Sequence, residues 1–429
     1  MLKNNVEQFI ESIFQFLIGK PEIRGLLVKK HSENFRSHGE FSFTNSLKSW
    51  HGCINADPDS LNEDNTLLKY LEKNEENIVE ESKSWTFRVK HTKITNDRVY
   101  LFVERIPAIN TGLKEGLHNN LIISKNERRP CHVIIDPECE KSNDITSLRV
   151  KYLAKVVENL STLTNDCDKL SEIVVSSKSC KNDGRTVISG AVLNAKTNLK
   201  ESNINADEFI RLRQSEMTLI AQHKYGARVT SDTKWNDFLA HLGESAVAFE
   251  LLQCKPSSAL KVNFDNVAAG SSKGASFILY NCARLETIIR TYNDKVLEGV
   301  YPPLPEFEDT DFTLLTEEDE WHLIFNYILS FPSMLAQCVE INERCCEFRP
   351  HFICQFLNGM VRVISQYYRK TRILLCCLLQ KWSTDTRLVG RFTRNLGPEA
   401  SGPRRRNHKE AGRPITSWKR TGKVSNSCR

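Results

Sequence analysis

From Glu244 to about Lys370 the apolar residues of this chain recur at the spacing of an α-helix, and proline cuts the pattern into separate segments. Glu244 to Leu252 is apolar and helix-prone, and Asn263 to Ser272 is a small, polar connector. Ile278, Cys282, Leu285, Ile289 and Tyr292 then share one face, which predicts a helix with a buried stripe, while Tyr280, Ala283, Arg284 and Thr287 lie on another side. Pro302, Pro303 and Pro305 break it, and Asp309 to Leu315 leads to the acidic run Glu317 to Glu320, charges that suit a helix N-terminus. Trp321, Ile324, Phe325 and Ile328 form the next inward stripe, interrupted at Pro332. A last helix from about Pro350 carries Ile353, Phe356, Leu357, Met360, Ile364 and Tyr367 on one face, with Arg362, Arg369, Lys370 and Arg372 off it. Long amphipathic helices with short joins predict a bundle.

Upstream the pattern is mixed. Val6, Phe9, Ile10, Ile13, Phe14 and Leu17 make one helical stripe, and strands are expected at Trp85 to Val89 and Val99 to Val103. Cys131 to Ile135 reads as a buried strand ended by Asp136-Pro137, followed by a helix opening at Asp144 with Leu148, Tyr152, Val156 and Leu160 along it. Thr186 to Leu193 is a second apolar strand, Asn194 to Asn205 a polar loop, and Asp207 opens another helix. Strand, helix, strand predicts a small parallel α/β layer. No Gly-rich phosphate loop of either common type occurs.

The 429 residues suit two or three domains, and the composition is that of a globular chain. The longest apolar run, Ile373 to Leu379, is far short of the roughly 20 residues that span a bilayer. Met1 to Gly19 carries Glu7 and Glu11 and no small-residue cleavage site, so no secretory leader is expected and the thiols should stay reduced. The 14 cysteines include the adjacent pairs Cys345/Cys346 and Cys376/Cys377, unlike a disulfide framework, and Cys131, His132 and Cys139 do not have the spacing of a common zinc site. No metal is expected. The net charge of +6 is uneven: residues 381–429 hold 13 Lys or Arg against Asp385, Glu399 and Glu410, which leaves the rest of the chain mildly acidic. That Gly/Pro/Ser/Arg-rich end is expected to be a disordered tail, with an anion-seeking arm as the alternative.

Phe264-Asp265-Asn266, Ser271 to Leu285 with its Tyr280-Asn281-Cys282-Ala283-Arg284 core, Asp311 to Leu315, Glu320-Trp321 and Ser365 to Leu374 occur in the order of a known domain. They resemble the DALR anticodon-binding domain of arginyl-tRNA synthetases and synthetase-like proteins, most strongly over about residues 240 to 375. Leu148-Arg149 sits where class I arginyl synthetases have Leu-Arg after their ATP-binding His-x-Gly-His signature, but Asp144, Ile145, Thr146 and Ser147 stand in the four signature positions. The second, lysine-rich signature corresponds to about Asn198 to Ser202, with Lys200 retained and Glu201 in place of the next cation.

This resemblance implies an α/β plus all-α fold, in which a reduced class I synthetase-like α/β remnant is followed by a helical DALR bundle. The segments expected are an N-terminal α/β region of unassigned role at 1–140, the degenerate remnant at 141–243, the anticodon-binding domain at 244–380 and the tail at 381–429. Missing imidazoles and a carboxylate beside the phosphate positions argue against ATP chemistry. The function it implies is that of a non-catalytic accessory factor that binds tRNA, arginine isoacceptors favoured, and presents the anticodon loop to a 3-methylcytidine tRNA methyltransferase, methyltransferase-like protein 2. That partner would bind the S-adenosylmethionine, and this chain would need no cofactor. The expected compartment is the cytoplasm, with the nucleus as a second. An arginine-tRNA ligase using ATP and a protein-interaction scaffold without RNA contact are the alternatives.

Unstacked loop bases are read by aromatic stacking and by hydrogen bonds from side chains such as Arg and Asn. Tyr280, Asn281, Arg284, Tyr368, Arg369, Lys370 and Arg372 are therefore the candidate tRNA contacts. Tyr280 equally suits the bundle core, Tyr367 suits it better than the surface, and the last three cations suit RNA contact slightly better than a merely solvated face.

Overall fold

The computed structural model describes residues 2, 4–19, 27–54, 66–124, 130–163, 172–178, 185–225, 233–264, 272–342, 345–371 and 373. Helix α1 (Asn5–Ile18) starts where the Asn4 side chain accepts the Glu7 N–H at 3.3 Å and stops at Gly19, whose left-handed φ of 66° suits a residue without a Cβ. Its stripe buries Val6, Phe9, Ile13, Phe14 and Leu17, as the spacing predicts. After it come β1 (Val28–Lys30), α2 (Phe35–His38), β2 (Phe41–Thr44), α3 (Leu67–Tyr70), α4 (Glu75–Glu81), β3 (Val89–Thr95), β4 (Arg98–Val103) and α5 (Arg105–Ser124). The four strands form one antiparallel sheet in the order β1-β2-β4-β3. The strand expected at Trp85 begins only at Val89, because Ser82–Ser84 forms a 3-10 turn and the Ser82 hydroxyl accepts the Val89 N–H at 2.9 Å.

A second region supplies β5 (Val133–Ile135), α6 (Pro137–Lys141), α7 (Ile145–Ser161), β6 (Ile173–Ser176), β7 (Thr186–Ile188), β8 (Val192–Asn194) and α8 (Ala206–Tyr225). Strands β5, β6 and β7 make the small parallel layer. The strand expected from Thr186 to Leu193 is divided between two sheets. At the break a Cβ on Gly190 would sit 2.4 Å from the Ser258 carbonyl oxygen, so only glycine allows this approach, and the Gly190 N–H donates to the Pro256 carbonyl at 2.7 Å. Beyond it β8 pairs in parallel with β9 (Leu260–Val262).

The rest is mainly helical. Helix α9 (Thr233–Leu252) runs across the expected boundary at 243/244 and packs on α7 and α8. Then follow α10 (Ser272–Leu297), α11 (Glu318–Leu323) continuing as a π-helical turn over Ile324–Ile328, α12 (Phe331–Cys338), a hairpin of β10 (Val339–Asn342) and β11 (Cys345–Phe348), and α13 (Pro350–Lys370). Pro332 starts α12 rather than merely breaking the preceding helix, since the first turn needs no proline N–H.

The apolar clusters ignore the sequence boundaries. Phe9, Phe14, Phe41, Trp50 and Leu101 of the N-terminal sheet share one core with Trp321, Ile324, Phe325 and Leu329 from the helical region. The predicted inward face of α11 therefore packs on the N-terminal region. The parallel layer likewise buries Val157, Ile173 and Val175 together with Leu252, Cys338, Phe348 and Cys354. Segment 381–429, and with it the expected tail, lies outside the described residues. Among the described residues no helix is long and apolar enough to cross a membrane.

Candidate nucleic-acid interface

Helix α10 enters the bundle through close contact: a Cβ on Gly274 would lie 3.2 Å from the Phe249 ring of α9 and 3.4 Å from the Asn358 side chain of α13. Ala275 and Ile278 are buried beyond it. From Cys282 onward one face of the helix is open to solvent. Cys282, Leu285 and Ile289, expected in a buried stripe, are exposed, Ile289 by 57%. Helical spacing says which residues share a face, not whether another element covers that face.

At this point along the helix Tyr280, Arg284 and Tyr368 come together. The Arg284 guanidinium lies 4.6 Å from the Tyr280 ring centre and 4.3 Å from that of Tyr368, and one of its N–H groups donates to the Tyr280 hydroxyl at 2.7 Å. Tyr280 and Tyr368 are both exposed. Two aromatic faces and a cation held by stacking, rather than by a carboxylate, suit contact with unstacked bases and a phosphate backbone. The i, i+4 spacing of Tyr280 and Arg284 and the packing of α13 on α10 produce the cluster.

The other expected contacts are placed differently. Asn281 is fully buried; its amide donates to the Phe277 carbonyl at 2.8 Å and its side-chain oxygen accepts from Arg284 at 3.5 Å. It holds the arginine and presents nothing at the surface, which corrects the expectation of a base-reading amide. Lys370 is paired with Asp319 at 2.6 Å, and Gln366 donates to the other Asp319 oxygen at 3.2 Å. Arg369 is exposed, its Nε donating to the Ser365 carbonyl at 3.2 Å. Arg372 lies outside the described residues. Tyr367 turns inward as its stripe predicts, donating to Glu320 at 2.9 Å, and burial followed by the Glu320 charge pushes its hydroxyl well above the ordinary value. Sequence reasoning missed Asp319 and Glu320 as partners of α13. Their acidic run was visible, but only the fold sets it opposite Gln366, Tyr367 and Lys370.

The degenerate signature positions also meet. Asp144 is the N-cap of α7, accepting the Ser147 N–H at 2.9 Å and the Ser142 hydroxyl at 2.9 Å, with Lys200 at 3.6 Å. Burial pushes the Asp144 carboxyl up, but the Ser147 N–H, Ser142 and Lys200 together hold it below its ordinary value. Ile145 is in the core, and the Thr146 hydroxyl accepts the Val192 N–H at 3.1 Å. Glu201 is buried, accepting from the Asn194 amide at 2.7 Å and the Asn203 N–H at 2.7 Å. The helix N-terminus that would attract a phosphate is occupied by the chain's own carboxylate. Arg149 is buried one turn further on, and its guanidinium donates to the carbonyls of Leu251, Gly190, Ser258 and Lys255 at 2.9, 2.8, 2.7 and 3.2 Å.

The fold is similar to that of the arginyl-tRNA synthetase from Plasmodium falciparum, with a TM-score of 0.53 over 87% of this chain and 94% of that one, at 12% identity. Within it, the chain carries a DALR anticodon binding domain, whose family model matches residues 278–376. A Danio rerio protein named DALR anticodon-binding domain-containing protein 3 is 31% identical over 199 residues, 44% of this chain and 36% of the relative. An arginine–tRNA ligase of Salinibacter ruber is 28% identical over 152 residues, 35% of this chain and 25% of the ligase. The chain thus spans about a third or less of the length of these curated relatives.

Proposed function

We propose that the protein binds tRNA through its DALR domain as a non-catalytic accessory factor, favouring arginine isoacceptors. The observation that carries this is the exposed Tyr280–Arg284–Tyr368 stack inside the matched domain. Flat aromatic faces stack on splayed anticodon bases, and the guanidinium, which pairs with no carboxylate among the described residues, can meet a phosphate or a base edge. The capped and filled N-terminus of α7 supports a role without ATP, because a phosphate would have to displace Asp144 and would meet its charge. In the fuller form of this reading, the protein delivers the anticodon loop to a 3-methylcytidine tRNA methyltransferase, methyltransferase-like protein 2, which carries the S-adenosylmethionine. Tethering would raise the local concentration of one tRNA species at that enzyme.

The test is gel-shift binding of purified tRNAs, followed by methylation of the same tRNAs by the methyltransferase with and without this protein. Arginine tRNAs should bind more tightly than others and be methylated faster in its presence. Equal binding to all tRNAs removes the selectivity, and no binding leaves only a protein scaffold. Arginine esterified to tRNA in the presence of ATP would replace the proposal by the ligase reading.

A further inference from the structure

The N-terminal region, to which the sequence gives no role, contains a groove of about 420 Å³ between the end of β1, helix α2 and strand β4. Lys29, Lys30, His31, His38 and Arg98 line it together with Tyr100, and Glu33 is the one acid on its wall. Among the described residues no ion pair involves Lys29, Lys30 or Arg98. We infer that this groove is a binding site for a phosphoryl oxyanion, held by Lys29 and Arg98 with the His31 and His38 rings beside them. The inference does not rest on the anticodon reading, since none of these residues belongs to the matched domain.

Hydrogen bonds tie three groups of the site together. Arg98 Nε donates to the Ser42 hydroxyl at 2.8 Å, and the same hydroxyl lies 2.8 Å from His31 Nε2. When the hydroxyl gives its hydrogen to Nε2, the neutral ring carries its N–H at Nδ1, a donor for an anion. The register aligns Lys29, Ser42 and Tyr100 across three adjacent strands, which makes the platform rigid. His38 stacks on His31 at 5.8 Å between ring centres and lies 5.3 Å from the Tyr100 ring. At the back of the groove Lys30 Nζ donates to Asn326 at 2.8 Å and lies 4.5 Å from the centre of the Phe325 ring. Burial first, and then the charges of Lys29, His38, Arg98 and Lys30, hold His31 down at about 4, while burial alone brings Lys30 to about 7. Several cations with one exposed acid between them need a ligand of concentrated negative charge. A phosphoryl group presents several acceptor oxygens to the arginine fork, the ammonium and the imidazole N–H at once.

The source of that group is a free phosphate or the phosphodiester backbone of a nucleic acid. Both are tested on the full chain at constant ionic strength, with inorganic phosphate and pyrophosphate read by thermal midpoint and an unstructured oligouridylate read by fluorescence anisotropy. Lys29→Ala should weaken the responding ligand about tenfold and Lys29→Glu should abolish it, while the unliganded midpoint stays that of wild type. The distant Lys155→Glu is the charge control and should leave binding intact. A saturable response to phosphate or pyrophosphate that is lost in Lys29→Glu identifies a free-phosphate site. A response to oligouridylate alone, lost in the same variant, identifies a phosphodiester site. No response to any of the three, or one that Lys29→Glu and Lys155→Glu change equally, overturns the inference.

Discussion

Replacing Arg149 by methionine should cost the protein about 3 to 5 kcal/mol of stability, because several buried carbonyls lose their donor at roughly 1 to 3 kcal/mol each before the site relaxes. The guanidinium makes four hydrogen bonds of 2.7 to 3.2 Å to carbonyls from three separate places: the end of α9, the Gly190 break between β7 and β8, and the Lys255 to Ser258 turn before β9. A hydrogen bond to a charged donor contributes roughly 1.5 to 3 kcal/mol, so four independent ones would give about 6 to 12. They are not independent. Burial of the charge, which brings the Arg149 pKa down to about 10, offsets a large share. Methionine fills similar space and needs no hydration, but it leaves four carbonyls without the donor that ties them together. Lysine has three donors on one nitrogen and cannot span the four acceptors, so Arg149→Lys should lose about 2 kcal/mol. Urea unfolding followed by circular dichroism checks both, as a shift in midpoint at unchanged slope. A loss below about 1 kcal/mol for Arg149→Met would refute the reasoning, because the clamp would then be replaceable by packing alone.

Arg284→Ala should weaken tRNA binding by about 1 to 3 kcal/mol and reduce the salt slope of log K by about 1, read by filter binding at several salt concentrations; an unchanged slope would mean that the guanidinium meets no phosphate. Tyr368→Ala should weaken binding by a similar amount while leaving that slope as it is, since it removes a stacking face and no charge. Asp144 has a pKa below that of an unfolded aspartate, so its contribution is full above the unfolded value, about 3.8, and is lost as pH falls through the lower folded one. Asp144→Ala should therefore cost about 1 kcal/mol at pH 7 and remove part of the acid-side decline of the thermal midpoint, whereas Asp144→Asn, which can still cap the helix, should cost less. Equal midpoints for wild type and Asp144→Ala at pH 7 would show that the cap carries no stability.

Where a feature of the fold depends on neighbours in sequence, it can be read from the sequence. The α1 stripe, the Asp144 cap and the acidic start of α11 are of this kind, because period, cap chemistry and dipole are properties of a single helix. Burial of Cys282, Leu285 and Ile289 is not: it needs a covering element, and among the described residues none covers that face of α10 at these three positions. Strand β6, four residues long, gave too short an apolar run to be told from a loop, and the division of Thr186 to Leu193 depends on the Ser258 carbonyl lying against Gly190. In the interface, the Tyr280–Arg284 pair follows from spacing. The fates of Asn281 and Lys370 were settled by Phe277 and Asp319, and for the lysine that partner is 51 residues away.

The start of α7 and the junction of α10 with α13 show how the same elementary interactions can close one site and leave another open. Near the start of α7 three anion-seeking groups are used internally: the first-turn N–H of Ser147 by Asp144, Lys200 by the same carboxylate, and the N–H of Asn203 by Glu201. The Asp144 cap stabilises the local fold by roughly 0.5 to 2 kcal/mol and the exposed Lys200 pair by about 1 at most, and both would have to be surrendered for a nucleotide to bind there. At the junction of α10 and α13 the balance runs the other way. Lys370 has an acidic partner, but Arg284 is held by two tyrosine faces, and stacking leaves its charge uncancelled. An ion pair must be broken before a phosphate can take its cation, whereas a stacked arginine can keep one ring and exchange the other for a base. Substitution of Arg284 and of Asp144 should therefore have separable effects, the first on binding and the second on stability.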